Sequence, residues 1–130
     1  MILGLRTDKP EAELYLMRAD GTVVEEYRWM AHRALSVTIL SEIEDLLNRN
    51  NTSREDLTGI VVYQGPGSFT GLRIGIAVAN SLSYALQIPI AAAEGEAWLT
   101  KTLNELMKLS EPQVITPAYG AEAHITAPKK

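Results

Sequence analysis

Cysteine is absent from the 130 residues, which excludes a disulfide framework and a thiolate metal site. Histidine occurs only as His32 and His124, far apart in the chain. An imidazole metal site or a nucleophile–base pair has little to build on. No Gly-x-Ser-x-Gly elbow occurs, and no Asp/Glu cluster has the spacing of a cation loop. The two tryptophans, Trp29 and Trp98, are isolated and do not make a base-stacking platform; core or edge cover is their expected role. Basic clusters are missing too, apart from the terminal pair Lys129-Lys130, which reads as a loose tail. With a formal net charge of −4, the chain lacks the basic face of a protein that grips nucleic acid unaided. Met1–Arg6 has neither the basic start nor the apolar length of a secretory signal. The longest weakly charged stretch, Ile74–Ala93, contains Asn80, Gln87 and Pro89, interior polarity that bilayer spans rarely carry. A soluble chain with no membrane association is expected.

What is present suits one domain with a single core. Ile2–Arg6 and Glu13–Arg18 are strand candidates, and Asp20-Gly21 turns the chain into a third, Thr22–Trp29. An opening antiparallel meander is expected. The period then lengthens. Leu35, Ile39, Leu40, Ile43, Leu46 and Leu47 follow helical spacing, with Ser36 as a cap and Asn48–Asn51 as a stop. Glu42, Glu44 and Asp45, with Glu55 and Asp56 beyond, read as a solvated face. Thr52-Ser53-Arg54-Glu55 has capping-box spacing. Gly59–Tyr63 is an apolar run without alternation, as in a strand covered on both faces. A helix over 71–87, a strand over 88–92 and a helix over 97–109 follow, Glu94 and Glu96 favouring the start of the last. The expected order is β-β-β-α-β-α-β-α over residues 1–110. An extended tail spans 111–130, with a short strand over 113–116. Three antiparallel strands feeding a parallel extension form the half-domain pattern of ribonuclease H-like and actin-like ATPase folds, an analogy that does not fix function.

The most distinctive segment is Gly65-Pro66-Gly67-Ser68-Phe69-Thr70-Gly71 and the helix after it. It is not a Walker loop, since no lysine lies in or beside it. It also misses Gly-x-Gly-x-x-Gly, with Thr70 in the sixth position, and Pro66 removes a backbone donor. Contact with an anion or nucleotide through Gly65, Gly67, Ser68, Phe69, Thr70 and Arg73 stays open. Between Gly65 and Ala93 the one charged side chain is Arg73, so this helix must be covered on more than one side. Gly71, Gly75, Ala79 and Ser83 recur every four residues as a stripe of small side chains, flanked by Leu72, Ile76, Leu82 and Leu86. Two readings stand: the stripe packs inside its own domain, or it lets a partner helix approach. A glycine inside a helix costs about 1 kcal/mol against alanine, so close approach is the reason to look for.

The run Gly65-Pro66-Gly67-Ser68-Phe69-Thr70-Gly71-Leu72-Arg73-Ile74-Gly75 resembles the hallmark segment of the TsaB (YeaZ) family. Leu57 and Ile60 before it, Ile88-Pro89-Ile90 after it, and the ends Pro117-Ala118-Tyr119 and Thr126–Lys130 are similar to the family as well. Members usually carry a second actin-like half; here the third helix runs almost directly into the family-like tail, so a minimal form is expected. The resemblance implies a non-catalytic scaffold subunit in the cytoplasm. Such a subunit pairs with the TsaD-like transferase that makes threonylcarbamoyladenosine beside the tRNA anticodon. It also implies a TsaE-like ATPase as a further partner, a homodimer when alone, and tRNA held only through the complex. No cofactor is expected on this subunit alone, with ATP left open at the complex interface. Partner binding by the two helices falls on Leu35, Ile39, Ile43, Leu46, Gly71, Leu72, Gly75, Ile76, Ala79 and Ser83. The paralogue's His-x-x-x-His metal motif is absent, so no catalytic or metal-binding residue is expected. The chain departs from the family where Arg6-Thr7-Asp8 replaces Asp-Thr-Ser, and where Gly120-Ala121 follows Tyr119. A small actin-like nucleotide hydrolase, or a protein that forms only homodimers, remains the alternative.

Overall fold

The computed structural model describes residues 1–109 and 114–116. Its centre is a five-stranded sheet in the order β3-β2-β1-β4-β5. The strands are β1 Ile2–Arg6, β2 Glu11–Met17, β3 Val23–Met30, β4 Gly59–Gly65 and β5 Ile90–Glu94. β1, β2 and β3 form the expected antiparallel meander, while β1, β4 and β5 run parallel. The helices are α1 Leu35–Arg49, α2 Phe69–Leu86 and α3 Trp98–Leu106. Short 3-10 turns precede α1 at His32–Ala34 and β4 at Arg54–Asp56.

Strand burial follows position in the sheet. β1, β2 and β4 are buried along nearly their whole length; β1 and β4 read as largely apolar runs, whereas β2 also buries Glu13. β3 lies at an edge and alternates in burial. Its Glu25 accepts from Arg49 at 2.8 Å and from the Asn50 side chain at 2.8 Å, tying the end of α1 to the edge strand.

Several boundaries differ from the sequence reading, each for a local reason. Ser36 lies inside α1 and caps nothing; Ala34 is the cap residue, because the preceding 3-10 turn delivers the chain already coiled. The capping box sits one residue later than expected. Ser53 and Asp56 form it, with the Ser53 amide donating to the Asp56 carboxylate at 2.8 Å. That bond holds the Asp56 pKa below the ordinary carboxylate value. α2 begins at Phe69, two residues earlier than expected, because Ser68 caps it. It ends where Gln87 turns left-handed, and Pro89 therefore precedes β5 and does not lie within it. Residues 114–116 are described and form no strand, whereas Gln113 and most of the expected tail lie outside the described residues.

α1 and α2 share one face of the sheet, and α3 covers the other. Thr7, at the end of β1, touches α2. Alternation along the strand turns Arg6 the opposite way, over the Tyr63 ring. On that side Trp98 of α3 meets Tyr15 and Tyr63 edge-on, at centroid distances of 5.7 and 5.9 Å. Tyr15 donates its hydroxyl to the buried Glu13 carboxylate.

Alanine at Gly75 places a Cβ 2.0 Å from Thr7 Oγ1, and at Gly71 2.1 Å from the Thr7 carbonyl oxygen. Helix propensity alone would stabilise either variant by about 1 kcal/mol. The clash reverses the sign: Gly75→Ala loses about 1–3 kcal/mol in urea unfolding, and Gly71→Ala at least as much, since backbone cannot rotate away. Burial, followed by the bond to Glu13, raises the Tyr15 pKa above the ordinary phenol value of 10.0. The unfolded chain therefore ionises first. Stability is fully present below pH 10 and falls above it, and Tyr15→Phe flattens that alkaline loss in denaturation midpoints.

Candidate functional site

The glycine loop joins the end of β4 to α2 and is held by the end of β1. Gly65 takes a positive φ of 131°. The Ser68 amide donates to the Asp8 carbonyl at 3.1 Å, and the Ser68 hydroxyl accepts from the Gly71 amide at 3.4 Å. Thr7 Oγ1 donates to the Gly71 carbonyl at 2.8 Å. The Tyr63 hydroxyl donates to the Pro66 carbonyl at 2.8 Å. Arg6 completes the clamp. Its Nε lies 2.8 Å and its Nη2 3.2 Å from the two Asp8 carboxylate oxygens, and its guanidinium stands 4.0 Å over the Tyr63 ring. The bond to Asp8 raises the Arg6 pKa, and burial, then the Asp8 charge, raises that of Tyr63.

This packing bears on an anion or nucleotide cradle. A Cβ on Gly67 would meet the Asp8 Cβ at 2.4 Å, so the concave side of the loop is already filled by the chain itself. The nearest carboxylate, Asp8, is engaged by Arg6 through both oxygens. The residues present do not fit a magnesium–nucleotide at this loop. Gly67, Ser68, Phe69 and Thr70 are exposed on its outer side, and the Arg73 guanidinium lies 5.3 Å from the Phe69 ring.

The small-residue stripe requires a correction. Gly71, Gly75, Ala79 and Ser83 face inward. The first two admit Thr7, Ala79 is fully buried, and the Ser83 hydroxyl donates to the Ile88 carbonyl at 2.5 Å. Leu35, Ile39, Ile43, Leu46, Leu72 and Ile76 are also core residues. The close neighbour that explains the glycines is the chain's own β1. Substitutions such as Gly75→Leu or Ala79→Arg test folding, not binding.

The surface left open is the other side of the same two helices. Val37 and Leu40 of α1 are 80% and 56% exposed, and Tyr84 of α2 is 76% exposed. Between the helices runs an apolar groove of about 300 Å³, lined by Leu40, Ala77, Val78, Ser81, Leu82 and Ala85. A second hollow of similar size, lined by Thr70, Arg73, Ile74 and Ala77, continues it toward the start of α2. Periodicity names the apolar stripe but not the outward one, because Ala, Ser and Thr there carry no strong signal. Val37 and Leu40 are the large apolar residues that lie off the stripe α1 buries, although spacing alone groups Leu40 with that stripe. A larger depression of about 690 Å³ lies at the far end of α1, but its polar groups pair with one another, as in Arg54–Glu44 at 2.6 Å.

Residues 24–119 match the family model described as "TsaD: tRNA N6-adenosine threonylcarbamoyltransferase". The TsaB protein of Bacillus subtilis, named for tRNA threonylcarbamoyladenosine biosynthesis, is 40% identical over 91 residues. That alignment covers 70% of this chain and 39% of the relative. The chain belongs to the TsaB/YeaZ family. YeaZ from Pseudomonas aeruginosa superposes with a TM-score of 0.66 at 29% identity, covering 72% of this chain and 43% of that one. RuvC from T. thermophilus, at 8% identity and a TM-score of 0.52, covers 94% of this chain and 86% of that one, a likeness of fold alone. Together they bear out the actin-like, ribonuclease H-like fold expected from the strand order. The chain spans about two fifths of the length of the TsaB and YeaZ relatives it matches.

Asp8 is 9% exposed, so removing Arg6 leaves a buried carboxylate without its cation. Arg6→Met is expected to lose about 3 kcal/mol in chemical unfolding. Arg6→Met with Asp8→Asn recovers much of it, giving a positive coupling in a double-mutant cycle.

Proposed function

We propose that this protein is a non-catalytic subunit in the formation of threonylcarbamoyladenosine on tRNA. In this reading it docks on a TsaD-like transferase through the outward faces of α1 and α2. The observation that carries the reading is the uncharged groove between Leu40 and Ala77–Ala85, with Val37 and Tyr84 also exposed on helices whose inner faces are already committed to the sheet. Small side chains along a groove let a partner helix approach closely, and large apolar residues at its rim supply contact area. Family membership supports the pathway, and the name of the B. subtilis relative supplies the product.

No step of the chemistry is assigned to this chain. The Arg6–Asp8 pair favours a subunit that binds no nucleotide by itself, leaving any ATP to the complex. A formal charge of −4 suits a subunit that leaves tRNA to its partners, in the cytoplasm. Among the described residues no helix is long and apolar enough to cross a membrane. A TsaE-like ATPase would join the same assembly. Without the transferase, two copies would cover the same apolar face as a homodimer.

The test is mixing with the TsaD homologue of the same source, read by calorimetry. Wild type forms a one-to-one complex. Leu40→Asp and Ala77→Arg, both at exposed positions, each weaken it at least tenfold, roughly 1.4 kcal/mol or more, while leaving the unfolding midpoint near wild type. Unchanged affinity in both variants overturns the proposed face. Light scattering of the protein alone checks the homodimer: the same substitutions shift it to monomer.

A further inference from the structure

Segment 114–116 is seated by side-chain amides that belong to neither the sheet ladder nor the glycine loop. The Ile115 amide donates to Asn80 Oδ1 at 2.9 Å, and Asn80 Nδ2 donates to the Ile115 carbonyl at 2.8 Å. Gln64 Nε2 donates to the Thr116 carbonyl at 2.8 Å. One carboxamide thus satisfies both main-chain groups of a single residue, the pattern a neighbouring β-strand would offer. The second carboxamide takes the next carbonyl along. The Ile115 side chain is half-buried against the core, while Val114 is 80% exposed.

Asn80 and Gln64 come from different elements, the middle of α2 and the penultimate residue of β4, just before the glycine loop. Asn80 lies mid-helix, where its carboxamide satisfies no helix terminus. It is also the one carboxamide on α2, between a buried face of small residues and an outer face of Ala77 and Ser81. On helical spacing Asn80 points away from Val78 and Leu82, which face α1, so the seated segment and α1 flank α2 on opposite sides.

We propose that Asn80 and Gln64 form a site that reads extended peptide main chain, and that its ligand is the chain's own Val114–Thr116 segment, bound in cis. Recognition through main-chain groups makes the site tolerant of side-chain identity, apart from one apolar residue at position 115. Tethering within one chain raises the local concentration of the segment to about the millimolar range, which suits so small a set of contacts. The site is distinct from the partner groove and stands whether or not that reading holds.

Amide hydrogen exchange of the full chain by NMR is the test, with wild type, Asn80→Ala, Asn80→Asp and Gln64→Ala compared. In wild type the Ile115 amide exchanges at least tenfold more slowly than in an unstructured peptide of the same sequence. Asn80→Ala abolishes that protection. Asn80→Asp retains part of it, because the acceptor for the Ile115 amide survives while the donor to its carbonyl is lost. Gln64→Ala lowers it less than Asn80→Ala does. Amides of β1 and β4 keep their wild-type rates in all three variants. Wild-type exchange as fast as the free peptide overturns the proposal, as does undiminished protection in Asn80→Ala. Protection that grows with protein concentration overturns the cis assignment and places the segment of a second copy in the site.

Discussion

The contact between α2 and the end of β1 governs the rest of the architecture. Thr7 fills the space that side chains at positions 71 and 75 would occupy, and its hydroxyl bonds the Gly71 carbonyl. Without that approach the helix would stand off from the sheet. The glycine loop would lose its hold on Asp8, and the crevice shared with α1 would change shape. The same contact decides which way the helix faces. Since the glycines are spent on the strand, the groove beside α1 falls to Ala77, Ser81 and Ala85, residues too small and too neutral to attract notice in a sequence, with Arg73 and Tyr84 exposed beyond them.

A second constraint acts from the opposite side of the sheet. Thr7 and Asp8 engage the helix and the loop, by side chain and backbone, and Arg6 holds the Asp8 carboxylate in place. Strand alternation divides them: Thr7 enters the α2 layer while Arg6 turns toward Tyr63 and the α3 layer. The guanidinium supplies, from within the chain, the positive charge that a carboxylate at this spot requires.

Much of this was legible in the sequence. The order of elements, the meander, the parallel extension and the family all followed from periodicity, turn residues and the segment from Gly65 to Gly75. Boundaries moved where tertiary contacts or turn geometry overruled local signals: the 3-10 turn ahead of α1 displaced Ser36 from its cap, and Ser53 took the box that Thr52 seemed to begin. The candidate site was half legible. A stripe of small residues announces close approach, but not what approaches. In a chain with no charge on α2 except Arg73, pattern alone cannot separate the face turned to the sheet from the face turned outward. Nor does any periodicity foretell that Asn80 reads the backbone of a segment about 35 positions further along.

The inward and outward sides of α2 also differ in how freely they can drift over generations. Positions 71 and 75 are confined by Thr7 atoms that an added Cβ would meet at 2.1 and 2.0 Å, far inside van der Waals contact, so replacement there is tolerated only if β1 changes as well. Positions 70, 77 and 81 carry no such internal restraint. Variation at these outer sites is therefore not checked by the chain's own packing and can accumulate without disturbing the fold.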